Sequence, residues 1–237
     1  MALDPAASGV RAELAAEGVK VAQPITTSID TGVCVVLLDN TGERTFVTGS
    51  GAETAVGDPL PDLDASDIGY VSGYSLVVPE KAGQVLAMRG GTLLVDPGPL
   101  VADIDPDVWT RTLARSAVLS CNDREAQLLT GLSDPLDAAR ELATRVPPQA
   151  VVVVRIGAGG CVVAQNGTVQ AVPSISVDVL DTNGAGDAHC GWFAAELLRG
   201  TDVLEAARRA NIAAAIAVTR SGPATAPTRS EVDARAS

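Results

Sequence analysis

The run Asp181-Thr182-Asn183-Gly184-Ala185-Gly186-Asp187 sets three small residues between carboxylates, at a point where a helix reads as beginning. Gly184, Ala185 and Gly186 add no bulk, so their backbone N–H groups can approach a phosphate closely at the positive end of the helix dipole. Asp187 follows in the first turn, beside that pocket. A carboxylate there can accept the proton of an attacking hydroxyl as a γ-phosphoryl group moves onto it. One segment would then supply both an anion hole and a base. The same residues also suit a plainer role, a helix start whose small residues pack closely on a sheet and whose Asp187 answers the dipole. Upstream, Asn122 and Glu125 stand at the spacing of a capping box, N-cap and third helical position.

Periodicity places the elements that must position these groups. Residues 5–18 read as a helix, with Val10 and Leu14 one turn apart and Gly18 as its stop. Residues 33–38 and 44–48 flank Asp39-Asn40-Thr41-Gly42-Glu43 as a β-hairpin, and residues 52–67, rich in Pro, Asp and Gly, form a loop. Short buried strands follow at 68–71, 92–95, 117–119 and 150–154, with helix-like stretches near 79–89, 107–114 and 123–130. That alternation predicts a mainly parallel sheet covered on both faces. Asp134-Pro135 opens a further helix to about Arg145, and a second hairpin, 161–164 with 168–172, turns at Gln165-Asn166-Gly167. A strand-like stretch at 176–180 precedes two closing helices, 186–199 and 202–218, the first ended by Gly200. On the first of these, Cys190, Phe193, Ala194, Leu197 and Leu198 recur at helical spacing and are expected to face the core. The expected organisation is one α/β domain over 1–237, with a β-hairpin unit over about 24–50 and an α/β core over 51–237.

Composition narrows the partners. The 237 residues are 46% hydrophobic and suit a single soluble domain, while 29 Asp and Glu against 17 Lys and Arg leave a net charge of −12. A field of that sign repels phosphate backbones and anionic lipid, which argues against nucleic acid and membrane surfaces. Cys34, Cys121, Cys161 and Cys190 are scattered without metal-site or disulfide-framework spacing and read as reduced thiols. Residues 1–20 carry no basic region followed by an apolar core, and no uncharged run approaches membrane-spanning length, so cytoplasmic residence is expected.

The 181–187 segment closely resembles the C-terminal signature of the ribokinase-like (PfkB-type) carbohydrate kinases, a family of sugar and nucleoside kinases. Residues 120–131, from Ser120-Cys121-Asn122 through Glu125 to Leu129-Thr130-Gly131, look like the family's Asn-x-x-Glu motif and its trailing Leu-Thr-Gly. Residues 151–160, ending Arg155-Ile156-Gly157-Ala158-Gly159-Gly160, are similar to its strand and glycine turn at the nucleotide. Asn211 with Ala214, and Gly222 to Ala224, fall where the family lines its adenine pocket; Thr31-Gly32-Val33 and Gly42-Glu43-Arg44-Thr45-Phe46 look like its lid strands.

The resemblance implies a three-layer α/β/α sandwich with a mainly parallel central sheet and a small β lid. It implies phosphorylation of a hydroxyl on a sugar, nucleoside or similar small molecule by ATP. Asp187 would be the base, and Gly184, Ala185 and Gly186 the anion hole. Asn122 and Glu125 would organise Mg2+ through water, since an amide and a carboxylate suit a hard cation that keeps its hydration shell. Arg155, Gly157, Gly160, Asn183, Asn211 and Gly222 would face the nucleotide, and Asp181 with the Gly222 region a monovalent cation such as K+. Many members form homodimers through the lid strands.

Some family features differ. The opening strand ending in a sugar-binding Asp, and the Gly-Gly segment that binds substrate hydroxyls, are not found before Pro5, so the chain reads as an N-terminally shortened member. The alternative is a catalytically silent nucleotide-binding or regulatory remnant without the sugar site. His189, the single histidine, stands where the family usually has Phe, and reads as a partly buried, hydrogen-bonded residue. Asp96-Pro97-Gly98 resembles the family's Asp-Pro segment without the polar residues that often follow.

Overall fold

Pro5 has no N–H to leave unpaired and so suits the first turn of helix α1 (Pro5–Ala16), whose cap is Asp4. One Asp4 oxygen accepts from the Ala7 N–H at 3.0 Å, and the other accepts from the Thr31 N–H at 2.8 Å and the Thr31 hydroxyl at 2.7 Å. These bonds, the Thr31 hydroxyl first, pull the Asp4 carboxyl down to about 2. The helix stops at Ala16, two residues before the left-handed Gly18. Strands β1 (Val33–Leu38) and β2 (Arg44–Gly49) pair antiparallel, with Val35 opposite Val47. The expected turn at 39–43 lies outside the described residues. A computed structural model describes residues 4–22, 28–38 and 44–236, which divide into two compact units, Met1–Leu60 and Pro61–Ser237.

The second unit carries one sheet in which chain order is also spatial order: β3 (Ile68–Ser72), β4 (Thr92–Asp96), β5 (Ser116–Asn122), β6 (Val151–Arg155), β7 (Cys161–Gln165) and β8 (Thr168–Val172). The first four are parallel and the last two antiparallel. Helices α2 (Pro79–Ala87), α3 (Pro106–Leu113), α4 (Asp123–Thr130) and α5 (Pro135–Ala143) join the parallel strands. Helices α6 (Ala185–Leu198) and α7 (Val203–Ala217) cover the face where Leu94, Val151, Val153 and Val163 meet Cys190, Phe193 and Ala210. The alternation and the two covered faces expected of a three-layer α/β/α sandwich are both present. The turn joining β7 to β8 is held by Asn166 and Gly167, both at positive φ, as a two-residue hairpin requires.

Three details differ from expectation. Residues 176–180 form no strand: Pro173, directly after β8, cannot donate to a ladder and turns the chain off the sheet edge. A third closing helix, α8 (Arg229–Ala236), follows α7, and its start was legible in Thr228-x-x-Glu231, where the Glu231 carboxylate accepts from the Thr228 N–H at 2.7 Å. Leu198 is exposed at the last residue of α6, while its neighbour Leu197 packs against the core.

Candidate active site

Five helices begin with a side chain folded over their free N–H groups, from Asp4, Asp105, Asn122, Asp134 and Asp202. Helix α6 begins without one. Its N-cap is Gly184 at φ 76, and a Cβ at that position would stand 2.0 Å from the Pro223 carbonyl oxygen. Backbone conformation and close approach therefore both require glycine there. The result is a helix start without a side-chain cap: the Ala185 N–H reaches the Thr182 carbonyl at a long 3.4 Å, and the positive dipole end faces whatever lies before it.

Beneath that start lies a guanidinium. A Cβ on Gly186 would meet the Arg155 head group at 3.6 Å. Arg155 ends β6, Asp96 ends β4 and Ser120 lies in β5, so the carboxyl ends of three parallel strands deliver these groups to one spot. Arg155 Nη1 donates to Asp96 Oδ2 at 2.9 Å and to Ser120 Oγ at 3.3 Å, and Nη2 lies 3.7 Å from Glu125 Oε2. Burial works against the arginine's charge, but Cys190, Asp96 and Glu125 outweigh it and hold its pKa above the ordinary value. Asn122 and Glu125 form the expected capping box: Asn122 Oδ1 accepts from the Glu125 N–H, and the Glu125 carboxylate accepts from the Asn122 N–H, each at 2.8 Å. Burial raises the Glu125 pKa, with the Asn122 N–H opposing.

Two cavities flank the first turns of α6. The larger, about 700 Å³, brings together Asn122, Arg155, Gly157, Gly160, Ala185, Gly186 and Asn211. Gly157 and Gly160 both take positive φ, and a Cβ on Gly160 would strike the Val172 carbonyl at 2.2 Å. The smaller, about 510 Å³, has Gly184 and Asp187 on its wall. Asp187 lies at the third position of α6, where desolvation and the Asp96 carboxylate raise its pKa against the pull of Arg155. Asp181 lies behind: one carboxylate oxygen accepts from the Asn183 N–H at 2.9 Å and the other from the Gly222 N–H at 3.0 Å. It ties the loop before α6 to the loop after α7. Glu125, Asn183 and Gly222 are not among the residues lining either cavity.

Sequence reasoning assigned no chemistry to two participants. His189 is buried and lines the larger cavity, and residues 174–177, the last two of which were expected to begin a strand, form part of its wall. The Asp96–Arg155 pairing was also unforeseen, although Asp96 stands where a buried strand ends, a usual place for ligand-facing groups in a parallel sheet.

A family model described as pfkB family carbohydrate kinase matches residues 3–229. A sugar kinase of Escherichia coli (strain K12) named YegV, itself uncharacterised, is 30% identical over 216 residues, covering 86% of this chain and 66% of the relative. The ribokinase of Mus musculus is 29% identical over 210 residues, covering 83% and 64%. The chain thus spans about two thirds of the length of the curated relatives it matches. Among solved structures, a fructokinase double mutant from Vibrio cholerae O395 with fructose, ADP and potassium ion bound superposes at a TM-score of 0.83, with 24% identity, over 99% of this chain and 82% of that one; the likeness is one of fold. Since the matched span takes in every strand and every helix before α8, the chain belongs to the pfkB family of carbohydrate kinases.

Proposed function

We propose that this chain transfers the γ-phosphoryl group of ATP to a hydroxyl of a sugar or nucleoside. The observation that carries the reading is the uncapped glycine start of α6, with Arg155 beneath it and Asp187 in its first turn. The larger cavity would take the nucleotide, its phosphates directed at the N–H groups of Gly184 to Gly186. Asp187 would accept the acceptor hydroxyl's proton as the phosphoryl group moves, its raised pKa making it a better base than an ordinary Asp. Arg155, held between Asp96 and Glu125, would add positive charge below the anion hole.

Among the described residues no cluster of three or more His, Cys, Asp or Glu could hold a metal ion. That fits Mg2+ bound chiefly by phosphate oxygens and water, with Asn122 on the cavity wall facing its hydration shell and Glu125 acting behind it through the capping box. Bound there, it would neutralise charge on the phosphates. K+ would sit by Asp181, whose carboxylate charge suits a monovalent cation beside the loop carbonyls near Gly222. The ribokinase name of the mouse relative supports a sugar acceptor. Exposed valines on both faces of the β1–β2 hairpin support a homodimer through these strands, and a small-molecule kinase drawing on the ATP pool fits the cytoplasm.

The test is ADP release from Mg-ATP with potassium present, across pentoses, hexoses and nucleosides. Release that depends on one acceptor class is expected. ATP binding with no turnover on any acceptor would replace this reading with a silent nucleotide-binding protein.

A further inference from the structure

Asn211 on α7 turns its amide toward the end of β8: Nδ2 donates to the Val172 carbonyl at 2.9 Å and the Pro173 carbonyl at 3.4 Å. The Asn211 backbone carbonyl accepts from Ser174 Oγ at 3.4 Å. Turning the amide over would set Oδ1 against two carbonyl oxygens, so Oδ1 must face the other way. There it meets His189 Nε2 at 3.2 Å. Nε2 is therefore the protonated nitrogen, and Nδ1 is a bare acceptor. Nδ1 is buried and has no hydrogen-bond partner among the described residues. The ring stacks near Phe193 and gives its one bond to Asn211. Burial, with Arg155 adding to it, pushes the His189 pKa down to about 3, so the ring stays neutral.

The bond reaches across the larger cavity's frame. His189 follows Ala185 by one turn on α6, while Val172 and Pro173 lead into the unpaired residues 174–177 that line the same cavity. The series His189, Asn211, Val172 and Pro173 thus ties the phosphate-facing helix to the segment with no strand partner to hold it. We propose that His189 is a positioning residue: acting through Asn211, it sets the distance between the anion-binding start of α6 and the 172–177 wall against which the base of a bound nucleotide lies. This rests on the reading of the larger cavity as the nucleotide site.

The first measurement is ATP binding by the native chain. His189→Phe keeps an aromatic ring and removes the donor, leaving Asn211 Oδ1 buried and unpaired. The KM for ATP should rise about tenfold, the order of one lost hydrogen bond, with kcat within about twofold of native. His189→Gln, whose amide N–H reaches about as far as Nε2, should restore most of the KM. A KM for ATP in His189→Phe equal to native overturns the proposal. Should His189→Phe fail to fold, 15N NMR of the single histidine in the native chain decides: a neutral Nε2–H tautomer that does not titrate between about pH 5 and 8 is expected, and an Nδ1–H tautomer or a titrating ring overturns the proposal. If the native chain binds no ATP, the nucleotide reading falls and takes the proposal with it, whereas binding unchanged by His189→Phe removes the proposal alone.

Discussion

The two sheets are built from the same kind of sequence and end in opposite states. In β1, Val33, Val35 and Leu37 are 60%, 51% and 53% exposed, and Val36 on the opposite face is 42% exposed. In β6, Val152, Val153 and Val154 are all at 0%. Both runs are mainly apolar and rich in valine. The difference lies in cover: β6 has β5 and β7 on its two edges and helices over both faces, whereas among the described residues β1 pairs with β2 alone and the buried cluster of their unit is Ala7 with Ala52. An apolar strand states a demand for cover, and its neighbours decide whether the demand is met. Among the described residues of the first unit it is left unmet, and an apolar surface of that kind is where cover by another chain would act.

If the second unit carries the chemistry and the hairpin carries assembly, substitutions should separate the two. Asp187→Asn should lower kcat by about 10²- to 10⁴-fold without loss of fold, read as ADP release beside a thermal melt; near-native turnover would remove Asp187 as the base. Its raised pKa gives two signs. Activity needs the ionised form, so kcat/KM should fall as pH drops through a value above that of an ordinary Asp. A carboxylate whose folded pKa exceeds its unfolded one also weighs against folding at neutral pH, a cost that fades as pH falls until both states are protonated. Asp187→Asn should therefore melt no lower than native at pH 7.

Arg155→Leu leaves Asp96 and Glu125 buried without their cation. Urea unfolding should report a loss of about 3–5 kcal/mol, and a loss below about 1 kcal/mol would deny the pairing a structural part. Gly184→Ala should cost at least about 1–3 kcal/mol, the cost of a side chain held at positive φ, to which the clash with the Pro223 carbonyl adds, with weaker ATP binding measured by calorimetry. The smallest stability effect should come from Val35→Lys, within about 0.5 kcal/mol, yet it should shift sedimentation from dimer to monomer. A monomeric native chain, or a dimer indifferent to Val35→Lys, would break the contrast between the two sheets.

Much of the fold was readable because its signals are short. The Asn122–Glu125 capping box, the Asp134-Pro135 helix start and the Asn166-Gly167 turn each form within a few residues, and each stands as expected. The glycine start of α6 was legible for the same reason, since a helix start is a local shape. Residues 176–180 misled because strand character is a preference for pairing, and Pro173 removes the chain from the only nearby edge. The α8 capping signal at Thr228 and Glu231 was present but unread.

Caps, turns and the glycine start of α6 were thus determined by the amino-acid sequence alone, because both partners in each lie within about a turn of one another. The partners of the site's buried groups were decided only by the tertiary structure. Arg155 meets Asp96 across 59 residues and His189 meets Asn211 across 22, and no local spacing encodes either pair. The sheet order brings the strand ends together, and burial then selects the charges and hydrogen bonds that satisfy one another there.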